Sequence, residues 1–419
     1  MRRLLPIILI LLGTAFAPYR LFAQSNALRE ALEANGVKFA AQNRMVLLTS
    51  GVEKFNDMFR AIRQARKYIH LEYFNFRNDS IGRALFTLLA EKAREGVEVR
   101  ALFDAFGNDS NNRPLRKCHL DSMRSQGIDI REFDPIRFPY INHAYHRDHR
   151  KIVVIDGALA YSGGMNVADY YLVGRPDIGE WRDMHFRLEG PSVVFYEHIF
   201  ATTWLKVTGK SIDYLTGIPY QSPADFKDLK PADCDNPMLV GVGDRYPKAG
   251  RAILRRSFET CLDSAKREVK IVSPYFVPTK RVWRALKRAV KRGVKVEIMV
   301  SVNGDVPLTP CIVAYRVNQL RKLGAHIYYY KGGFHHSKVM MMDGEYCTIG
   351  STNLDARSLC YDYEVNAFVL DPCFTRRLND IFEEDKANCY LLDDNNRRQI
   401  IPNRKLFIGR VANILTWVM

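Results

Sequence analysis

His149-Arg150-Lys151-Ile152-Val153-Val154-Ile155-Asp156 has a second copy in His336-Ser337-Lys338-Val339-Met340-Met341-Met342-Asp343. The first is followed by Gly163-Gly164-Met165-Asn166, the second by Gly350-Ser351-Thr352-Asn353. The His, Lys, Asp and Asn of the two copies are each separated by 187 residues. A single H-x-K-x4-D match is a weak signal, but two in identical internal register are not accidental. Side chains alternate along a strand, so the His and Lys of each copy share a face. The run after each His is apolar throughout, as in a strand covered on both faces. Each Asp is followed by Gly157 or Gly344, an Asp-Gly hairpin signal. Asp156 and Asp343 are therefore read either as turn formers or as direct participants in the chemistry.

The chemistry suits a phosphodiester. Imidazole titrates near neutrality and serves as nucleophile, general acid or general base. Lys151 and Lys338 supply positive charge for phosphate oxygens, and the amides of Asn166 and Asn353 supply further donors. Preorganised donors of this kind stabilise a phosphoryl-transfer transition state without requiring a metal. No cofactor and no metal site are expected.

The paired blocks resemble the phospholipase D superfamily, and the wider sequence is similar to the bacterial cardiolipin synthases within it. Further stretches carry the resemblance across residues 40 to 390. Among them are His70-Leu71-Glu72-Tyr73-Phe74, Trp181-Arg182-Asp183, Pro274-Tyr275-Phe276-Val277-Pro278 and Asn353-Leu354-Asp355-Ala356-Arg357-Ser358. Two departures stand out. The first glycine turn is Gly-Gly where the second is Gly-Ser, which removes one hydroxyl donor, and Asp362 stands where such sequences often carry Asn.

The resemblance implies a two-step reaction at one phosphate, with His149 as nucleophile and His336 as acid and then base. The residues alone do not break the symmetry between them. Both histidines must meet, so the resemblance implies two pseudo-symmetric α/β domains that face each other across a shared central cleft. Each histidine also needs a carboxylate on its other nitrogen. Asp183 and Glu364, which follow the two blocks, are the candidates, with Ser351 beside the second turn as a further orienting group. The implied reaction joins two phosphatidylglycerols into cardiolipin and glycerol. Hydrolysis of the same lipids is the nearest variant, a phosphodiesterase nuclease is a more distant one, and a dead binding module is opposed by two intact motifs.

Other stretches repeat as well. Ile69-His70-Leu71-Glu72-Tyr73-Phe74 parallels Lys270-Ile271-Val272-Ser273-Pro274-Tyr275-Phe276, and each leads through a helical stretch into a further strand. This order argues for an α/β architecture with parallel sheets. The halves are expected at 40–210 and 238–392, joined through 211–237, where Pro219, Pro223, Pro231 and Pro237 thin out regular structure.

The ends point to lipid. Met1-Arg2-Arg3, an uncharged run from Leu4 to Tyr19 and Leu21-Phe22-Ala23 read as a signal peptide or a membrane anchor over residues 1–23. From Arg404 onward, Phe407, Val411, Ile414, Leu415 and Val418 fall on one helical face of an amphipathic tail spanning 393–419. That face suits either the bilayer interface or docking onto the core. The net charge of +16 fits an anionic membrane surface or a nucleic acid. The terminal segments favour anionic phospholipid, phosphatidylglycerol in the first place, at the bacterial cell membrane and on its outer face if residues 1–23 direct export. No nucleic acid and no obligate protein partner are expected. The basic helix beginning at Lys280 reads as a solvated surface. Eight scattered cysteines show no zinc spacing and read mostly as buried apolar residues, with disulfides open if the chain is exported. His143, His146 and His149 are not assigned to a metal, because no carboxylate or cysteine spacing supports one.

Overall fold

The computed structural model describes residues 26–136, 145–212, 222–247 and 250–415. The expected segment at 1–23 therefore lies outside the described residues, as does His143.

The two motif strands, Lys151–Ile155 and Val339–Met342, are wholly buried. Their alternation explains why every position is apolar. Val153 and Ile155 face the core of the first half, while Ile152 and Val154 face a core shared with the second half. In the other strand Met340 and Met342 face the second half's own core, and Val339 and Met341 the shared one. Burying one such side chain contributes about 1.5–3 kcal/mol. Each strand turns back on itself as an antiparallel hairpin, with Leu159–Gly163 and Tyr346–Gly350 respectively. The turn residues Asp156 and Gly157 have φ of 52° and 65°, and Asp343 and Gly344 have 56° and 67°. Two positive φ values in succession are what a tight right-twisting hairpin requires.

On the other side each motif strand pairs with the first of three parallel strands. These are Tyr68–Tyr73, Glu98–Asp104 and Ile128–Phe133 in the first half. Their counterparts are Glu268–Val272, Lys295–Ser301 and His326–Tyr330. The expectation of parallel sheets is corrected here, because only these triplets are parallel and the hairpins that carry the motifs make the sheet mixed. Nor does each half have a main sheet of its own. Lys38–Leu48 pairs antiparallel with Met238–Arg245, and this seam fuses both halves into one 15-stranded sheet with pseudo-twofold strand order. Helices Val193–Thr208 and Pro372–Lys386 supply residues to the shared core, so the halves are a single packed body.

The described part of the connecting segment is pinned down. Phe226 is buried in the first half's core, Lys230 reaches Glu53 at 3.1 Å, and Cys234 is bonded to Cys373 at the start of the Pro372–Lys386 helix. That disulfide closes a separation of 139 residues, a large restriction of the unfolded chain. Of the eight cysteines, six remain as thiols. Alkylation of the denatured, unreduced protein should therefore label six cysteines by mass spectrometry, and eight after reduction; eight in both states would refute the pairing.

Candidate active site

Both motifs sit where the parallel strands end. Lys151 pairs with Tyr73, the last residue of its strand, and Val339 pairs with Val272. The residues just ahead of each motif are tied to the opposite half. Tyr363 accepts from the His149 amide at 3.0 Å, and Asp148 bridges to Tyr363. Gly333–His335 pairs in parallel with Glu180–Arg182, and the His336 amide donates to the Arg182 carbonyl at 2.6 Å. Tyr363 and Arg182 immediately precede Glu364 and Asp183. The stitching therefore delivers each carboxylate to the histidine of the other half.

The pairs are crossed. His149 Nδ1 lies 2.9 Å from Glu364 Oε1, and His336 Nδ1 lies 2.7 Å from Asp183 Oδ2. With Nδ1 held by a carboxylate, the Nε2 of each ring is the nitrogen left for phosphorus or a proton. The two carboxylates are anchored differently. Glu364 Oε2 accepts from the Ser351 hydroxyl, so Ser351 serves the carboxylate. Asp183 Oδ1 accepts from the Met184 amide at 2.7 Å. A Cβ on Gly164 would lie 2.2 Å from Asp183 Oδ1. The Gly-Gly turn is thus the space that the Asp183 carboxylate fills, a reason beyond the missing hydroxyl.

Lys151 donates to the His149 carbonyl at 2.5 Å, and Lys338 to the His336 carbonyl, so each lysine lies on its histidine's face as alternation requires. Burial moves every charge in the cluster. It lowers Lys151 to about 7 and Lys338 to about 8, with the Glu364 and Asp183 carboxylates pulling the other way. It raises Asp183 to about 6 and Glu364 to about 7, opposed by the lysines. Burial and the neighbouring lysines hold both histidines well below the ordinary imidazole range. A buried cluster of two lysines, two imidazoles and two carboxylates is one that an entering phosphate anion would complete. Asn166 and Asn353 are buried; the Asn166 carbonyl takes the Lys54 ammonium at 2.9 Å, and the Asn353 amide lies 3.4 Å from the Ser358 hydroxyl.

Asp156 and Asp343 are not brought to this cluster. They stand at the far ends of the motif strands, beyond Ile155 and Met342. Asp156 accepts the amides of Arg66, Lys67 and Tyr68 at 2.7–2.9 Å, and Asp343 those of Lys266, Arg267 and Glu268 at 2.7–3.0 Å. Each closes the start of the neighbouring parallel strand by capping three backbone donors, which is the turn-forming one of the two roles the sequence left open. Asp362 is buried, accepts the Arg147 amide and pairs with Arg357 at 2.9 Å, so a charged residue is matched at this departure. His146 Nδ1 faces the Tyr361 carbonyl at 2.9 Å, and His335 Nε2 pairs with Asp385 at 3.0 Å.

Residues outside the motifs complete the pocket. Trp181, Phe334 and Tyr275 pack around His336 with centroids 5.5–6.2 Å away, and Phe74 stacks edge-on with His149 at 5.0 Å, the one ring against it among the described residues. The Tyr275 hydroxyl donates to Asp305 at 2.7 Å. Arg150, between the motif His and Lys, points the other way into a buried pair with Glu72 at 3.2 Å and with Asp244 of the second half. Nothing in the sequence pattern singles out Arg150 or Lys54, since both lie within runs with other evident roles.

The comparisons with known proteins agree with this geometry. A domain model described as cardiolipin synthase, PLD-like domain, matches residues 58–177 and 258–386. The chain belongs to this family. It is 35% identical to a probable cardiolipin synthase of Bacillus subtilis over 360 residues, 85% of this chain and 68% of that protein. It is 36% identical to a cardiolipin synthase of a Geobacillus strain over 358 residues, again 85% and 68%. In fold it resembles the phosphatidylserine synthase of Haemophilus influenzae, with a TM-score of 0.68 at 16% identity, covering 94% of this chain and 100% of that one. The chain is thus an enzyme of the cardiolipin synthase family with two phospholipase D-like repeats on one mixed sheet.

Two expectations follow from the site. Asp156→Ala or Asp343→Ala removes a charged acceptor from three amides and should cost on the order of 3 kcal/mol of stability. Turnover of the remaining folded enzyme should stay near the wild-type rate; a fall of about a hundredfold without a lowered melting temperature would return these residues to the chemistry. Sulfate, which keeps its charge, should bind at the site most tightly below about pH 7 and weaken towards about pH 9, as Lys151 and then Lys338 lose their protons. A calorimetric dissociation constant that is flat across that range would contradict the assignment.

Proposed function

We propose that this chain transfers the phosphatidyl group of one phosphatidylglycerol to the headgroup hydroxyl of a second, releasing glycerol and forming cardiolipin. The observation that carries the reading is the crossed pairing of His149 with Glu364 and His336 with Asp183, in a chain of this family. The order of roles follows the family resemblance. His149 Nε2 attacks phosphorus and the bond from phosphorus to the departing glycerol oxygen breaks; His336, carried as the imidazolium once the entering phosphate anion and Asp183 offset its burial, gives that oxygen the proton on Nε2. The primary hydroxyl of the second lipid then loses its proton to His336. Its oxygen bonds to phosphorus as the bond to His149 breaks, and both histidines return to their starting states. Glu364 and Asp183 hold the rings and balance the imidazolium charge, a contribution worth about 10²–10⁴ in rate. Lys151, Lys338, Asn166 and Asn353 donate to the non-bridging oxygens.

The aromatic wall around His336 also bears on transfer against hydrolysis. Trp181, Phe334 and Tyr275 cover the ring that must activate the second alcohol, which limits the water reaching it. Membrane association follows from the family, although no helix among the described residues is long and apolar enough to cross a bilayer. The Cys234–Cys373 pair supports a catalytic body on the outer face, since disulfides persist in oxidising compartments.

Incubation of the purified protein in detergent with phosphatidylglycerol should give cardiolipin and glycerol by mass spectrometry. Both His149→Ala and His336→Ala should lose at least about a thousandfold in rate. A lipid-bound phosphoenzyme should be trapped in His336→Ala and be absent in His149→Ala, and the reverse pattern would exchange the roles. Phosphatidic acid without cardiolipin would make the enzyme a hydrolase.

A further inference from the structure

The motif cluster lies among loops that leave the ends of the parallel strands, and these loops carry exposed apolar side chains. On the His149 side, Phe106 follows the Glu98–Asp104 strand and lies against Arg357, while Tyr145 packs on Tyr361, one residue from Asp362. Tyr145 is 52% exposed. On the His336 side, Val306 and Leu308 flank the loop whose Asp305 is bound by Tyr275, and both are exposed. Val173, 83% exposed, ends the short Tyr170–Val173 helix that packs through Tyr170 onto Trp181. Exposed leucines and valines scattered singly require no explanation. Here they gather from both halves around one opening, and such a rimmed patch marks an interaction surface.

The tail extends the same rim. Helix Thr309–Arg321 begins one residue after Leu308, and helix Asn403–Ala412 packs along it. The contact is close because Gly409 has no side chain: a Cβ there would lie 2.0 Å from the Cys311 carbonyl oxygen. Before that contact Leu392 sits at Ile327, near the opposite end of the sheet, so the tail helix climbs towards the pocket. Docking onto the core, one of the two expectations for the tail, is seen on one face, and the apolar residues expected on a common face lie on the other. Gly409 and Ala412 dock onto the core, while Phe407, Val411 and Ile414 remain 68%, 53% and 72% exposed. Exposed Arg404 and Arg410 accompany them, as exposed Arg113 and Arg116 do on the first half's loop.

We infer that this face, formed by the pocket rim and the outward side of the tail helix, docks into a bilayer bearing anionic headgroups and presents the pocket mouth to it. The inference rests on the lipid reading of the site and adds the surface and orientation through which lipid is reached. Charge complementarity selects the occupant. The chain carries a net +16, with arginines beside the apolar residues on both wings, an arrangement that suits an anionic interface more than an apolar protein surface. The basic helix Lys280–Lys291 is a poorer candidate, because its Arg281 and Arg288 are already paired with Glu259 and Asp263.

The test uses the full chain and two double variants, Val306→Ser with Leu308→Ser and Phe407→Ser with Ile414→Ser, none of which touches the reacting groups. Each should raise the apparent KM on vesicles of phosphatidylglycerol and phosphatidylcholine by about tenfold. Turnover of a monomeric short-chain phosphatidylglycerol should not change. Co-sedimentation with these vesicles should fall in parallel, and high salt should weaken it for the wild type. Unchanged vesicle kinetics in both variants, or equal loss on both substrates, would overturn the docking face. So would a change in oligomeric state in place of vesicle uptake, since the apolar face would then be covered by a second copy. If the wild type makes no lipid product from either substrate while sedimentation still depends on these residues, the reaction assigned above fails and the docking face stands.

Discussion

The hydrogen bond from each catalytic imidazole to a carboxylate of the opposite half is the constraint on which the rest of the structure depends. A pair at 2.7–2.9 Å tolerates little relative movement of the two halves. The molecule meets that demand with backbone. The seam between Lys38–Leu48 and Met238–Arg245, the parallel bridge of Gly333–His335 to Glu180–Arg182, and the link from His149 to Tyr363 all cross between halves. Arg150 adds a buried ionic tie from the motif itself to Asp244. Rigidity between the repeats is therefore a requirement of the chemistry, and one continuous sheet is how it is achieved.

A near-symmetric frame must still carry out an asymmetric reaction, and the asymmetry is small and local. One carboxylate is an aspartate seated in the space of Gly164 and held by a backbone amide. The other is a glutamate, one methylene longer, held by the Ser351 hydroxyl. Among the described residues, three aromatic rings surround His336 and one faces His149. Such differences move basicity and water access without altering the geometry of the pairs. They are the features that let equivalent histidines take unequal parts in the two steps.

Much of this was legible in the chain because the signals are periodic or repeated. Two motifs in one register pointed to two repeated halves, the resemblance they carry implied a shared site, and the all-apolar strands announced cover on both faces. The carboxylates Asp183 and Glu364 were found as following each block, but their crossing was not legible. It depends on which half each strand packs against, and that is set by sheet pairing with no local pattern. The sheet's mixed character was hidden for a similar reason, since a hairpin turn and a parallel triplet each look correct alone. Asp156 and Asp343 show the limit most plainly. The motif includes them, and alternation does not show that the four strand residues between, five steps of rise or roughly 16 Å, carry them away from the lysine. Their amide-binding role is a constraint on the turn, and it is itself a reason for Asp to recur in both copies.

The same strand geometry accounts for where the apolar rim lies. Because the three parallel strands of each half end at the motifs, their following loops must surround the pocket, and any apolar residue on them faces whatever delivers the substrate. A lipid substrate has acyl chains that water does not dissolve, and each methylene left behind in a bilayer saves about 0.8 kcal/mol of exposure. An enzyme that drew the whole lipid into a buried site would need a cavity long enough for those chains. A site of buried charges with an apolar rim has the opposite economy: only the phosphate and headgroup enter, and the chains stay in the membrane. The basic tail helix, docked by Gly409 against Cys311, then serves the same end as the loops, widening the contact around a site whose buried groups are polar.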